Sequence, residues 1–253
     1  MSLDLKVVIP SKDRPENVRR MAEMLPDASW VLNEAQAEIY RRAGVAKRKM
    51  ILHPEDLRGI GKLRNFMLDT ISNEILVWIE DDLKFILVWS GSYYKKLRKP
   101  EDIMAVITTT AQVAKDAGVS LFGWGNHARG MRFRKNDPFN FIGPISRAAG
   151  VVGRKLRWDE RLVGSADTDA TLQSLLTDRI IFTDTRYYFN CGEIMANKGG
   201  LQAVRTKANR DRDVALVKAK WGDYVNLGAA KRAGQMTGVP RNNIRVRRRQ
   251  KGN

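Results

Sequence analysis

The sequence has one cysteine, Cys191, which excludes a disulfide framework and fits a reducing cytoplasm. It has no apolar run of membrane-spanning length. The longest, near Phe85–Trp89, stops far short of the roughly 20 residues that a spanning helix needs. The first residues, Met1-Ser2-Leu3-Asp4, lack the basic start and apolar stretch of a secretion signal. No internal repeat is present. These absences together lead us to expect a soluble, cytoplasmic protein.

Positive charge is what the chain has in excess. Lys and Arg number 45 against 28 Asp and Glu, a net charge of +17. That balance points to a polyanionic partner, nucleic acid before membrane, because no amphipathic lipid anchor is evident. A generally basic proteome would give the same number. With 253 residues and 43% apolar content, the chain can bury a sizeable core in one large α/β domain, with or without an appendage.

The stretch Ile75-Leu76-Val77-Trp78-Ile79-Glu80-Asp81-Asp82-Leu83 stands at the centre of the reading. A short apolar run ending in charge reads as a strand buried on both faces in the middle of a parallel sheet. Carboxylates at the carboxyl end of such a strand lie where open α/β sheets bind ligands. Three adjacent acids repel one another unless a cation compensates them, so a hard, oxygen-preferring ion such as Mg²⁺ or Mn²⁺ suits them. A solvated acidic turn is the plainer alternative.

Around this stretch the elements alternate. Leu5–Pro10 reads as a first strand, Ser11–Pro15 as a turn, and Val18, Met21, Ala22 and Leu25 recur at helical spacing. Trp30–Leu32 and Met50–His53 read as strands, with a helix over Ala35–Ala43 between them. Gly59-Ile60-Gly61 precedes a further helix whose first turn holds Lys62 and Arg64, a possible backbone cradle for phosphate or a simple turn. Phe85–Trp89 is apolar, and Tyr93–Lys99, with Lys95, Lys96 and Arg98, suits phosphate contact and base stacking, or is a solvated surface. A helix is expected over Asp102–Ala117, and strands over Ser120–Trp124, Ile145–Val152 and Ile180–Thr183. Between them, Gly125–Phe141 carries His127, Arg132 and Arg134 among aromatics and reads as a functional loop.

Asp167 and Asp169 precede Leu172, Leu175 and Leu176, which places both acids in the first turn of a helix. The dipole there keeps a carboxylate ionised, as a general base requires, or the acids simply cap the helix. Beyond Arg205 a charged helix, Asp211–Trp221, leads to a basic arm with Arg245, Arg247, Arg248 and Arg249, which neutralises phosphates without reading sequence. We therefore divide the chain into a domain over 1–204 and a helical, basic extension over 205–253.

Taken in order, Val7–Pro15, Gly59–Asn65, Trp78–Asp82 and Asp159–Asp169 resemble the motifs of GT-A glycosyltransferases, particularly the inverting family 2. The resemblance covers roughly residues 5–200. It implies a Rossmann-like α/β fold with a mixed, mostly parallel sheet flanked by helices. Pro10, Ser11, Lys12, Asp13 and Arg14 would then line the nucleotide pocket, and Gly59, Gly61 and Arg64 would face nucleotide and diphosphate. Glu80, Asp81 and Asp82 stand at the family's Asp-x-Asp motif, with Asp82 as metal ligand and Asp81 near the ribose or sugar. Asp167 stands at the catalytic base. Ala166 replaces the acid that usually precedes it, so Asp169 is a substitute. The implied cofactors are Mn²⁺ or Mg²⁺ with a UDP-sugar as donor.

The strongly basic composition, together with Trp221-Gly222-Asp223-Tyr224, is similar to phage TET-associated glycosyltransferases. These glycosylate 5-hydroxymethylpyrimidines in DNA, and that resemblance implies DNA as acceptor and a host-cell cytoplasm as location. Other readings are a transferase acting on protein or polysaccharide, and a non-catalytic nucleic-acid-binding protein on the same scaffold. A nucleotidyltransferase would show a glycine-rich Lys/Arg triphosphate signature at the first strand, which is missing.

Overall fold

Runs of β-branched and aromatic residues alternate with helical repeats along most of the chain, and the backbone follows them. A computed structural model describes residues 3–91, 93–125, 138–142, 145, 147–191, 206–228 and 241–244, of which 226–228 and 241–244 as backbone only. In chain order the elements are β1 (Leu5–Ser11), α1 (Val18–Met24), β2 (Ser29–Asn33), α2 (Ala37–Arg42), β3 (Met50–His53), α3 (Ile60–Thr70) and β4 (Ile75–Ile79). Then come β5 (Phe85–Trp89), β6 (Tyr94–Leu97), α4 (Pro100–Asp116), β7 (Leu121–Gly125), β8 (Phe139–Asn140) and β9 (Ala148–Val152). The last are α5 (Ala166–Thr177), β10 (Phe182–Asn190), α6 (Lys207–Trp221), β11 (Val225–Gly228) and β12 (Arg241–Ile244).

One sheet runs in the order β3-β2-β1-β4-β9-β7-β10-β5-β6, with β8 on β10. The pairs β1–β2, β2–β3, β1–β4 and β7–β10 are parallel, while β9, β5 and β8 run against their neighbours. The remaining strands of this sheet all point one way, so it is mixed but mostly parallel. β4 lies between β1 and β9 and every one of its residues is buried, as a two-sided apolar strand requires.

Period-two alternation divides the core into two layers. Ile75, Val77 and Ile79 of β4 pack with Val18 and Met21 of α1, Tyr40 of α2 and the α4 stripe Ile103, Val106, Ile107, Ala111 and Ala114. Leu76 and Trp78 pack on the other face with Met67 and Leu68 of α3, Ala166, Ala170 and Leu175 of α5 and Val217 of α6. Each such side chain contributes about 1.5–3 kcal/mol on burial.

Several boundaries differ from the sequence reading, and α6 starts at Lys207 rather than Asp211. α3 begins at Ile60, so Gly61 is a helical residue rather than part of a loop. β9 starts only at Ala148. Phe182–Asn190 is one strand whose pairing to β7 slips between Asp184 and Tyr188. Arg241–Ile244, expected in an unpaired arm, forms an antiparallel ladder with Val225–Gly228.

Candidate active site

The parallel register of β1 and β4 pairs Val8 with Trp78. Carried three residues further along both strands, it sets Ser11 beside Asp81 at the carboxyl edge of the sheet. There Ser11 Oγ donates to Asp81 Oδ2 at 2.5 Å and lies 2.6 Å from the Tyr40 hydroxyl. Arg14 Nη1 reaches Asp81 Oδ1 at 2.8 Å and Asp82 Oδ2 at 3.8 Å, while the Arg14 backbone N–H donates to Tyr40 Oη at 3.1 Å. Arg20 of α1 holds the turn by its backbone, donating to the Leu83 carbonyl at 2.8 Å and the Asp81 carbonyl at 3.2 Å. Burial pushes the Asp81 carboxyl above its usual range, although Ser11 and Arg14 pull it down. Burial also opposes the charge on Arg14, but Asp81 outweighs it and Arg14 ends above its ordinary value. In such a pair desolvation consumes most of the attraction, and what remains is fixed geometry.

Glu80 begins the turn. Its N–H donates to the Arg147 carbonyl at 3.1 Å, where β9 enters the same edge. Its carboxyl is pushed up to about 7, by burial first and by Asp82 second, with Arg64 and Arg147 pulling the other way and Asp167 adding to the push. Arg64 is itself buried, its guanidinium 4.1 Å from the Trp78 ring centroid. Its Nε and Nη1 have no hydrogen-bond partner among the described residues, and burial lowers it to about 10. Arginines from three separate elements thus meet three adjacent acids. They share the compensation for which the sequence reading named a hard cation.

Asp167 lies in the first turn of α5, as its spacing predicts, and interacts electrostatically with both Glu80 and Arg64. The two motifs, nearly 90 residues apart in sequence, therefore lie within electrostatic range of each other. Asp169 is placed differently. It is fully buried, accepting from Trp221 Nε1 at 2.8 Å, Lys220 Nζ at 2.7 Å and Gln173 Nε2 at 2.8 Å. Those donors occupy both oxygens, so Asp169 ties α5 to α6, and of the two acids it is Asp167 whose charge is felt by Glu80 and Arg64.

The other expected residues divide into three groups. Pro10 lies within β1, paired with Val31, and Lys12 and Asp13 follow the strand at its carboxyl end. Asp13 has φ 58° and its N–H donates to Gln36 Oε1 at 3.2 Å, which fixes the loop against α2. Gly59, with φ 100°, turns the chain into α3. Gly61 serves packing: a Cβ there would stand 3.0 Å from the Asp159 carbonyl oxygen, so glycine lets α3 press on that loop. Lys95, Lys96 and Arg98 are exposed on and just after the edge strand β6. Arg132, Arg134, Arg245, Arg247, Arg248 and Arg249 lie outside the described residues, as do His127 and Asn197–Gly200. The residues that sequence reasoning missed are Arg20, Tyr40, Arg147 and Asp213. None belongs to a recognisable motif; each reaches the site through tertiary contact alone.

The donor set suits a hard divalent cation. Carboxylate oxygens crowd Glu80 and Asp82, and Glu80 stays pushed up despite two nearby arginines. Among the described residues no three His, Cys, Asp or Glu side chains form a ready cage. Mg²⁺ and Mn²⁺ are commonly held by one or two carboxylates plus substrate phosphates and need none. No helix among the described residues is long and apolar enough to cross a membrane.

No protein-family model and no curated protein sequence matches the chain. Solved structures do. TarS 1–349 from S. aureus in complex with UDP-GlcNAc superposes with a TM-score of 0.51 at 12% identity, over 85% of this chain and 66% of that one. This chain thus spans just under two thirds of that fragment. Glucosyl-3-phosphoglycerate synthase from Mycobacterium tuberculosis, in complex with Mn²⁺, UDP and phosphoglyceric acid, gives 0.52 at 13% identity, over 88% and 81%. The same synthase with Mn²⁺, UDP-glucose and phosphoglyceric acid gives 0.51 at 14%. At such identities the likeness is one of architecture: this chain adopts the GT-A fold.

Proposed function

We propose that the chain is a metal-assisted, inverting glycosyltransferase that moves a hexose, glucose from UDP-glucose, onto the hydroxyl of a 5-hydroxymethylpyrimidine in DNA. One observation carries the reading. The Ser11–Asp81–Arg14–Tyr40 network fixes two carboxylates at the carboxyl edge of β1 and β4, with Asp167 within electrostatic reach of the same turn. The nucleotide-sugar and Mn²⁺ complexes of the structural neighbours support the donor and the cation.

The roles follow from the chemistry. Pro10–Arg14 orient the nucleotide, and Asp81, held by two donors, keeps lone pairs to accept from ribose or sugar hydroxyls. A divalent cation at Asp82 would offset the charge that builds on the departing diphosphate, as a Lewis acid. Arg64, buried against Trp78 near Glu80 and Asp167, adds positive charge where the diphosphate leaves. Asp167, ionised at the α5 amino terminus, takes the proton of the acceptor hydroxyl as its oxygen attacks the anomeric carbon. A single displacement inverts that carbon.

The DNA acceptor rests on the net charge of +17 and on the exposed Lys95, Lys96 and Arg98. A modified base in a duplex must leave the stack to reach Asp167, at a cost of a few kcal/mol. The test is transfer from radiolabelled UDP-glucose to DNA containing 5-hydroxymethylcytosine, with Mn²⁺ present and unmodified DNA as control. Label on the modified DNA alone, lost in Asp82→Ala, is the expected result. Label on protein or polysaccharide instead overturns the DNA acceptor, and no transfer to any acceptor overturns the enzyme.

A further inference from the structure

The turn that carries Asp167 is held from a distant part of the chain. Asp213 of α6 is buried, and its carboxylate accepts from the backbone N–H groups of Val163 at 3.0 Å, Gly164 at 2.6 Å and Ser165 at 2.9 Å. These residues immediately precede α5, whose N-cap Ser165 makes no side-chain cap bond of its own. Asp213 therefore supplies, from another helix, acceptors for three successive amides of the segment that leads into α5. Bonds between a carboxylate and N–H groups are about twice as strong as neutral ones, and three converging on one group fix its position. A second tie runs alongside the first. Lys220 and Trp221, also of α6, bond Asp169 two residues beyond Asp167. The two ties bracket Asp167 on either side.

We infer that Asp213 is the positioning residue for the base, holding the α5 entry turn so that Asp167 faces the acidic turn. The inference rests on the transferase reading given above. It makes α6 part of the catalytic domain rather than an appendage to it. Asp213 touches neither substrate nor the reacting atoms and acts only through the turn.

Asp213→Asn keeps the size of the side chain but turns an N–H₂ group toward amides that need acceptors. Val217→Ala is the control: it loosens the same helix by removing fully buried apolar volume and leaves the three bonds in place. Both full-length variants are compared with the parent at a temperature where all are folded. The readouts are kcat and donor KM for glucose transfer to hydroxymethylated DNA, and amide hydrogen exchange over 159–170. Misplacing a catalytic group by about 1 Å costs up to about 100-fold, so D213N is expected to lower kcat by about 10- to 100-fold. Donor KM should stay within about twofold, because the nucleotide pocket is built on β1, β4 and α2. Exchange should quicken at Val163–Ser165, and V217A should leave kcat within about twofold of the parent. An equal loss of kcat in both variants, or unchanged exchange at Val163–Ser165 in D213N, overturns the inference. If the parent itself transfers no sugar, the transferase reading falls. The exchange measurement then still decides whether Asp213 holds the turn.

Discussion

The acidic turn at Glu80–Asp82 and the entry turn of α5 carry carboxylates within electrostatic reach of each other, yet they are held in opposite ways. The acidic turn sits at the end of a buried strand, where the backbone offers little positive potential of its own, so cations come from elsewhere. Arg14 and Arg20 arrive from the loop and helix after β1, Arg64 from α3 and Arg147 from the start of β9. Even so, burial leaves Asp81 raised and Glu80 near 7. The α5 turn sits at a helix amino terminus, where amides supply positive potential, and its support is an added carboxylate, Asp213. A turn with too much negative charge is suited to take up a cation. A turn whose amides are tied by a second acid is suited to hold one carboxylate still.

The sharpest way to break this comparison is to remove each carboxylate in turn. Asp167→Asn should lower kcat by about 10²- to 10⁴-fold, the usual worth of a positioned general base. Donor affinity, measured by calorimetry with UDP-glucose and Mn²⁺, should not change, because the nucleotide pocket lies on other elements. A weakened donor affinity with kcat intact would move Asp167 to the binding side and dissolve the distinction.

Asp81→Ala should act on stability first. It takes from the largely buried guanidinium of Arg14 its carboxylate partner at 2.8 Å, and it removes the acceptor of Ser11. Breaking a buried ion pair from one side costs about 3–5 kcal/mol. For a chain of this size each kcal/mol lowers Tm by about 2–4 °C, so calorimetry should show a fall of about 6–20 °C. A fall of only a degree or two would mean that the network orients side chains without holding the fold.

These two turns also differ in how far the sequence alone reveals them. The acidic turn was legible because its signal is local: five apolar residues stop at three acids, and the strand–turn–helix order before it fixes where such a strand end lies. Asp167 was legible from three leucines at helical spacing. Asp213 was not, since nothing among its neighbours in α6 distinguishes it from the other charges of Lys207–Trp221. Its role exists only once α6 has packed on α5, and the same holds for Tyr40, whose hydroxyl meets Ser11 across 29 positions. Gly61 carries a signal that sequence leaves open. Next to a cation it reads as a phosphate cradle or a turn, and its close approach to Asp159 belongs to neither signal.

Neither turn grips an acceptor, so the smallest effect belongs to a third region. β6 is the outer strand of the sheet, and Leu97 pairs with Ile86, so its end returns toward the acidic turn. Exposed Lys95, Lys96 and Arg98 would meet phosphates there. Substituting all three by Ala should weaken DNA binding about equally for every sequence. It should also reduce the slope of log affinity against log salt by about 2.7 if each neutralises one phosphate of a duplex. Saturating DNA should restore kcat, since neither Asp82 nor Asp167 is touched. Fluorescence-anisotropy titrations between 50 and 200 mM salt, roughly the range over which such contacts are felt, measure the slope directly. An unchanged slope with increased aggregation would assign these residues another task. Lysines on an outer strand also keep unpaired backbone groups from pairing with a second sheet, and that duty alone would account for them.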